Sequence, residues 1–220
     1  MAATFSLYHL SRPPAAAVPA PPLLLLLHGV GSHEGDLMGL AAALDPRFYV
    51  VSARAPITLA PGAYAWFHVE FAPTGPVINP QEAEASRITL LRFIDEVVQH
   101  YGVDPTQIYL LGFSQGAIIS LSLALTEPKR LAGVVVMSGR VLPEVLPRMA
   151  PPEAMAGLPI LVVHGTADPV LGIEYGRAAR DRLSVLPVAL TYREYPMGHQ
   201  VTEESLAGVV AWLQDQLGEK

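Results

Sequence analysis

The sequence predicts an α/β protein built on a mainly parallel central sheet with helices on both faces. Three observations carry that reading. Short, continuous apolar runs recur along the chain, amphipathic stretches of helical period fall between them, and proline clusters mark loops without any long linker or internal repeat. An apolar run that does not alternate with polar residues has no solvent face, which is the habit of strands in a parallel sheet covered on both sides.

The elements follow in order. Phe5 to Leu10 fits an antiparallel edge strand. Leu23 to Leu27, five consecutive leucines, reads as a buried central strand. The run is too short to cross a bilayer, and five prolines separate it from Arg12, so it does not resemble a signal peptide. The expectation is a cytoplasmic protein with no stable membrane insertion.

Asp36 is a candidate cap for a helix from Leu37 to Leu44, and Tyr49 to Ser52 forms the next strand. Residues 56 to 80 are loop. A helix is expected from Pro80 to Tyr101, because Asn79 can cap it, Pro80 suits its first position, Glu82 and Glu84 suit its N-terminal turn, and Gly102 stops it. Its apolar stripe reads Ile88, Leu91, Ile94 and Val98. Strands at Ile108 to Leu111, Val134 to Met137, Ile160 to Val163 and Leu190 to Tyr195 follow, with helices at Gly172 to Leu186 and Thr202 to Leu217. Residues 141 to 159 hold five prolines and exclude a long regular helix.

A chain of 220 residues is long enough to bury a substantial core, and a single domain spanning 1–220 is expected, with an edge strand and proline-rich loop in 1–22. Apolar residues make up 51% and charged residues 15%, which excludes intrinsic disorder and leaves room for an open apolar groove or a homodimer contact. The net charge of -6 gives no footprint for nucleic acid. The absence of cysteine removes disulfides, thiolate catalysis and cysteine-based zinc sites.

The chemistry is concentrated at Gly112-Phe113-Ser114-Gln115-Gly116. This G-x-S-x-G pattern lies between a strand and a helix, where small residues let the two approach and the serine is exposed on a sharp turn. Serine alone is a poor nucleophile and needs a base, which in turn needs an orienting acid. Two histidines follow it. His164 lies inside a strand-ending run, whereas His199 occupies the loop after the last strand and is the candidate base. Asp168, three residues beyond His164-Gly165, is the candidate acid; Glu174, Asp181 and Glu194 fall within regular elements. Read singly, Ser114, Asp168 and His199 are also ordinary capping or turn residues, and it is their order that points to acyl transfer.

A developing oxyanion needs donors, and the backbone N–H groups of Gln115 and Val30 are the candidates. Val30 belongs to the glycine loop His28-Gly29-Val30-Gly31. His33, Glu34 and Asp36 lack the spacing of a metal site; neither metal nor cofactor is called for, and Glu34 reads as loop-shaping. Trp66, Phe67, Leu142, Leu146, Val170 and Leu171 are the candidate substrate-pocket residues. The stretch after Arg140 is too short for a full cap domain, which favours a shallow site and small to medium acyl esters.

The chain resembles the phospholipase/carboxylesterase family of α/β-hydrolases, similar to acyl-protein thioesterases and small bacterial carboxylesterases. The resemblance covers roughly residues 23 to 217. It is carried by Leu27-His28-Gly29-Val30-Gly31 with Glu34, Asp36 and Leu37, by Arg54-Ala55-Pro56, Ala65-Trp66-Phe67 and Gly112-Phe113-Ser114-Gln115-Gly116, and by His164-Gly165-Thr166-Ala167-Asp168-Pro169-Val170 and Gly198-His199. It implies the α/β-hydrolase fold without a full cap, the Ser114–Asp168–His199 triad, the Val30 and Gln115 oxyanion donors, and hydrolysis of carboxylic esters, with thioesters and lysophospholipids as alternatives. A non-catalytic binding module on the same scaffold is the alternative from another class.

Overall fold

The computed structural model describes residues 5–72 and 75–218. Its elements are, in chain order, β1 (His9–Arg12), β2 (Leu23–Leu27), α1 (Glu34–Met38), β3 (Tyr49–Ala53), β4 (Ile57–Ala60), β5 (Ala63–Ala65), β6 (Val69–Ala72), β7 (Gly75–Ile78), α2 (Pro80–Tyr101), β8 (Ile108–Phe113), α3 (Gln115–Thr126), β9 (Gly133–Met137), β10 (Pro159–Gly165), α4 (Ile173–Ser184), β11 (Ala189–Tyr195) and α5 (Glu203–Leu217). The main sheet has seven strands in the order β1-β3-β2-β8-β9-β10-β11. Only β1 runs antiparallel to its neighbour.

The leucine run shows why the sheet needs cover on both sides. Side chains alternate across a strand, so Leu23, Leu25 and Leu27 enter one apolar cluster while Leu24 and Leu26 enter the other. All five are inaccessible to solvent. The first cluster takes Leu90, Phe93, Ile94 and Val97 from α2 and Ile119 and Leu123 from α3. The second takes Leu37 from α1 and Val209, Trp212 and Leu213 from α5. Leu25→Ala belongs to the class of core truncations that cost about 2–5 kcal/mol.

Helix boundaries follow side-chain chemistry. The Asn79 side chain accepts from the N–H groups of Gln81 and Glu82 at 3.1 and 3.2 Å, and Gly102 ends α2. Thr202 and Ser205 form a reciprocal capping box on α5, at 2.9 and 3.2 Å.

Four expectations are corrected. The edge strand is His9–Arg12, later than Phe5 to Leu10, because Phe5 packs among His9, Phe93, His100 and Tyr101 instead of pairing in the sheet. The expected loop 56–80 contains two hairpins, β4–β5 and β6–β7. The cap of α1 is His33, while Asp36 accepts from the Ser32 hydroxyl at 2.6 Å. On α2 the buried face is centred on Leu90, Phe93, Ile94 and Val97, and Ile88 is 48% exposed. Of the expected stripe, Ile94 is buried and Leu91 and Val98 pack against the core, so Ile88 alone falls off the inward face.

Candidate active site

The carboxyl ends of β2, β8, β9, β10 and β11 converge on one edge of the sheet, where open α/β sheets place their ligands. Ser114 sits between β8 and α3 with φ 54° and ψ -118°. A residue with a side chain is rarely found there, and such strain typically costs of order 1–3 kcal/mol. The turn is tight because small residues flank it: a Cβ on Gly116 would fall 1.9 Å from the Leu27 carbonyl oxygen. That oxygen belongs to a buried central strand and cannot retreat, so position 116 admits only glycine without displacing β2 or α3.

His199 reaches this serine from the loop after β11. Its Nε2 lies 2.9 Å from Ser114 Oγ, and its Nδ1 lies 2.7 Å from Asp168 Oδ2. The imidazole also packs against Phe113, ring centroids 4.9 Å apart. Asp168 is held from its other oxygen: Oδ1 accepts the N–H groups of Val170 and Leu171, both at 2.9 Å. Burial pushes this carboxyl upward, but the hydrogen bond from His199 and those from the Leu171 and Val170 backbone outweigh burial and leave it below its ordinary value. Asp168 is therefore a carboxylate, and Nδ1 of His199 carries the proton that it accepts.

Backbone bonds stitch the two loops together. Thr166 N–H donates to the Tyr195 carbonyl at 2.8 Å and Ala167 N–H to the Met197 carbonyl at 3.1 Å. His164, set aside as a base from its place in the strand, is fully buried behind them. Its Nε2 donates to the Leu171 carbonyl at 2.7 Å and lies 3.7 Å from Asp168 Oδ2.

The glycine loop after β2 closes over the serine. A Cβ on Gly29 would lie 3.2 Å from Ser114 Cβ, so glycine is what lets the loop come this close. Gly31 N–H is taken by the Tyr64 carbonyl at 2.8 Å and Ser32 N–H by the Gly29 carbonyl at 3.3 Å. Val30 N–H, just before them, has no acceptor among the described residues. Gln115 opens α3, so its N–H has no acceptor within the helix. Val30 and Gln115 border the same cleft as Ser114.

Several groups hold this loop. His28 is buried, its Nε2 accepting Ala55 N–H at 3.1 Å and its Nδ1–H donating to the Gly29 carbonyl at 2.7 Å. Burial pushes its imidazole down, in keeping with a neutral ring that donates from one nitrogen and accepts at the other. Glu34 receives Arg54 in a two-point pair at 2.6 and 2.7 Å, and the guanidinium lies over the rings of Tyr8 and Tyr64, 4.2 and 4.4 Å from their centroids. The hydrogen bonds from Arg54 hold Glu34 down at about 2, against an ordinary value of 4.5.

The Gln115 side chain clamps the neighbouring segment. Its Oε1 accepts Trp66 N–H at 3.0 Å and its Nε2 donates to the Phe67 carbonyl at 2.8 Å. The Ser86 hydroxyl donates to the Trp66 carbonyl, and the Trp66 indole N–H donates to the His28 carbonyl at 3.0 Å.

A narrow cleft opens beside Ser114. Of the six residues proposed for the substrate pocket, Phe67, Val170 and Leu171 line it. Trp66 does not: it is fully buried behind the glycine loop, where its indole is a structural donor. Leu142 and Leu146 border two other clefts, because the segment after β9 turns away through two short 3-10 helices, Pro143–Arg148 and Pro152–Met155. The cleft is completed by Val69, Pro76, Ile78, Ile118 and Arg140. Three of those come from the β6–β7 hairpin in what reads as loop, and Arg140 follows β9, the neighbour of β8 in the sheet. Among the described residues no cluster of three or more His, Cys, Asp or Glu side chains is arranged to hold a metal.

A family model described as phospholipase/carboxylesterase matches residues 14–217. The chain belongs to that family. It is 30% identical over 166 residues to acyl-protein thioesterase 1 of Neurospora crassa, a match covering 71% of this chain and 66% of that protein, just under two thirds of its length. It is 30% identical over 169 residues to carboxylesterase SOBER1 of Arabidopsis thaliana, covering 74% of this chain and 73% of that one. The Bacillus cereus carboxylesterase structure superposes with a TM-score of 0.80 at 26% identity, covering 96% of this chain and 94% of that one. The fold is that of an α/β-hydrolase, and no cap domain is evident among the described residues. No helix among the described residues is long and apolar enough to cross a membrane.

Proposed function

We propose that this protein is a serine carboxylesterase that hydrolyses small to medium acyl esters through a Ser114–His199–Asp168 triad and an acyl-enzyme. The observation that carries the reading is the continuous hydrogen-bonded chain from Ser114 Oγ through His199 to Asp168, with links of 2.9 and 2.7 Å. Family membership supports the reaction class.

In this mechanism His199 Nε2 takes the Ser114 proton as Oγ attacks the ester carbonyl. The negative charge on the carbonyl oxygen rests on the N–H groups of Gln115 and Val30. His199, now protonated and stabilised by the Asp168 carboxylate, gives its proton to the leaving alcohol. Water then repeats the sequence on the acyl-enzyme and restores the hydroxyl. The narrow cleft and its apolar lining by Phe67, Ile118, Val170 and Leu171 favour acyl chains of modest size. The relative named as an acyl-protein thioesterase favours a thioester as the second substrate class, for which the same steps apply with a thiol leaving group.

The test is covalent and kinetic. A fluorophosphonate should label one residue, Ser114, and Ser114→Ala should lower kcat on an activated short-chain ester by roughly 10⁵-fold or more, judged by triad knockouts in subtilisin. Labelling elsewhere, or near-normal turnover by Ser114→Ala, defeats the proposal. A series of esters of rising chain length beside a thioester and a lysophospholipid then ranks the substrates.

A further inference from the structure

The apolar cleft beside Ser114 has one cationic wall. Arg140 borders it together with Ser114, Gln115 and Phe67. The chain puts it there by a strained turn: after β9, Ser138 adopts φ 49°, and Gly139 presses so close to α3 that a Cβ on it would lie 2.7 Å from Ala117 Cβ. The next side chain emerges over the cleft.

What the guanidinium touches there is sparse. Nη2 donates to the Pro76 carbonyl at a long 3.3 Å, and the group lies 5.6 Å from the centre of the Tyr175 ring. Its Nε is buried without a partner. Arg54, Arg87 and Arg177 pair with carboxylates, whereas no carboxylate among the described residues lies within ion-pair distance of Arg140, and Glu144 acts on it only through space. Burial, the main influence, pushes its pKa down. Arg140 is half-buried and also borders the neighbouring cleft beside Tyr175. A guanidinium partly withdrawn from water without a counter-charge is costly, and its planar fork fits a carboxylate or phosphate at two points. Inside an apolar cleft that attraction is screened far less than in water.

We propose that Arg140 is a specificity determinant, selecting esters that carry an anionic oxygen group close to the reacting carbonyl. The proposal rests on the esterase reading above and names its substrate class. The anion can sit on the acyl side, as the free carboxylate of a dicarboxylic half-ester, or on the alcohol side, as the phosphate of an acylated glycerol phosphate.

Both arms are measurable by proton release at constant pH: monoethyl glutarate against ethyl glutaramate, and 1-butanoylglycerol 3-phosphate against 1-butanoylglycerol. Wild-type kcat/KM should favour the anionic member of at least one pair by roughly 10- to 100-fold, the size of one charge-assisted hydrogen bond. Arg140→Gln should collapse that ratio, mainly through KM, and Arg140→Lys, which keeps the charge without the fork, should retain part of it. The arm that shows the preference identifies the source of the anion. No preference in wild type, or a ratio that Arg140→Gln leaves within about twofold while lowering both members alike, overturns the proposal and reduces Arg140 to a pin for the β6–β7 hairpin. Failure of the esterase reading looks different: no ester in either pair is turned over in a Ser114-dependent way.

Discussion

Replacing Glu34 by glutamine tests how the glycine loop is anchored, through a charge that lies outside the proposed chemistry. Glu34 is 8% exposed and bonded at two points to Arg54. Arg54 in turn lies over the Tyr64 ring, and the Tyr64 carbonyl accepts Gly31 N–H. The drop from 4.5 to about 2 is a depressed carboxylate, so its stabilisation is complete above the unfolded value and is lost as pH falls through the folded one. At 1.36 kcal/mol per pH unit the difference amounts to about 3 kcal/mol at pH 7, falling to about 2 kcal/mol at pH 3.5. For a chain of this size, 3 kcal/mol corresponds to roughly 6–12 °C in Tm.

The assay is urea unfolding of wild type and Glu34→Gln at pH 7, 4.5 and 3.5. Subtracting the two cancels the titrating groups that do not interact with Glu34, leaving His28 and His33 as its titratable neighbours. The gap should be about 3 kcal/mol at pH 7 and close to that at pH 4.5, then narrow. A gap below about 0.5 kcal/mol at pH 7, or one that does not shrink on acidification, refutes the argument. Turnover should also suffer in the variant, because the loop that offers Val30 N–H loses a support while Ser114, His199 and Asp168 are untouched.

Two other substitutions separate the roles of neighbouring groups. Gln115→Ala keeps the backbone N–H proposed as an oxyanion donor but strands Trp66 N–H and the Phe67 carbonyl, both buried; two such groups at about 1–3 kcal/mol each should lower stability by roughly 2–6 kcal/mol, read by urea unfolding, with the loss in kcat far smaller than for Ser114→Ala. Asp168→Asn should leave the fold intact and cut kcat by roughly 10³- to 10⁴-fold, because the amide no longer enforces the His199 tautomer with its proton on Nδ1; a loss under tenfold in steady-state ester hydrolysis would remove Asp168 from the mechanism.

Much of the architecture was legible because it is local. A run of five leucines has no solvent-facing residue and so demands cover on both faces. Asn79-Pro80 and Thr202 announce helix starts through hydrogen bonds that span only two or three residues. Ser114, Asp168 and His199 were legible for a related reason: each stands at the carboxyl end of a strand, and a parallel sheet gathers those ends on one edge. The misreadings are of another kind. Ile88 satisfies helical spacing as well as Leu90 does, and only the sheet beneath decides which face of α2 is inward.

The substrate cleft was the least legible part. Trp66, Leu142 and Leu146 are apolar and fall in segments near the expected site, yet hydrophobicity cannot say whether a side chain lines a cleft or fills a core. That choice belongs to the path of the chain after β9 and to a hairpin, β6–β7, whose residues Val69, Pro76 and Ile78 carry no distinguishing pattern. Sequence alone determined the strands buried on both faces, the family, and the places of Ser114, Asp168 and His199 just beyond strand ends, since each is read from a short local stretch. Tertiary structure decided that Gln115 clamps Trp66 and Phe67, that Glu34 and Arg54 brace the glycine loop, and that Arg140 faces the cleft beside Ser114 without a carboxylate partner. Those contacts join residues 20 to 49 or more positions apart, and no local rule of spacing or propensity reaches that far.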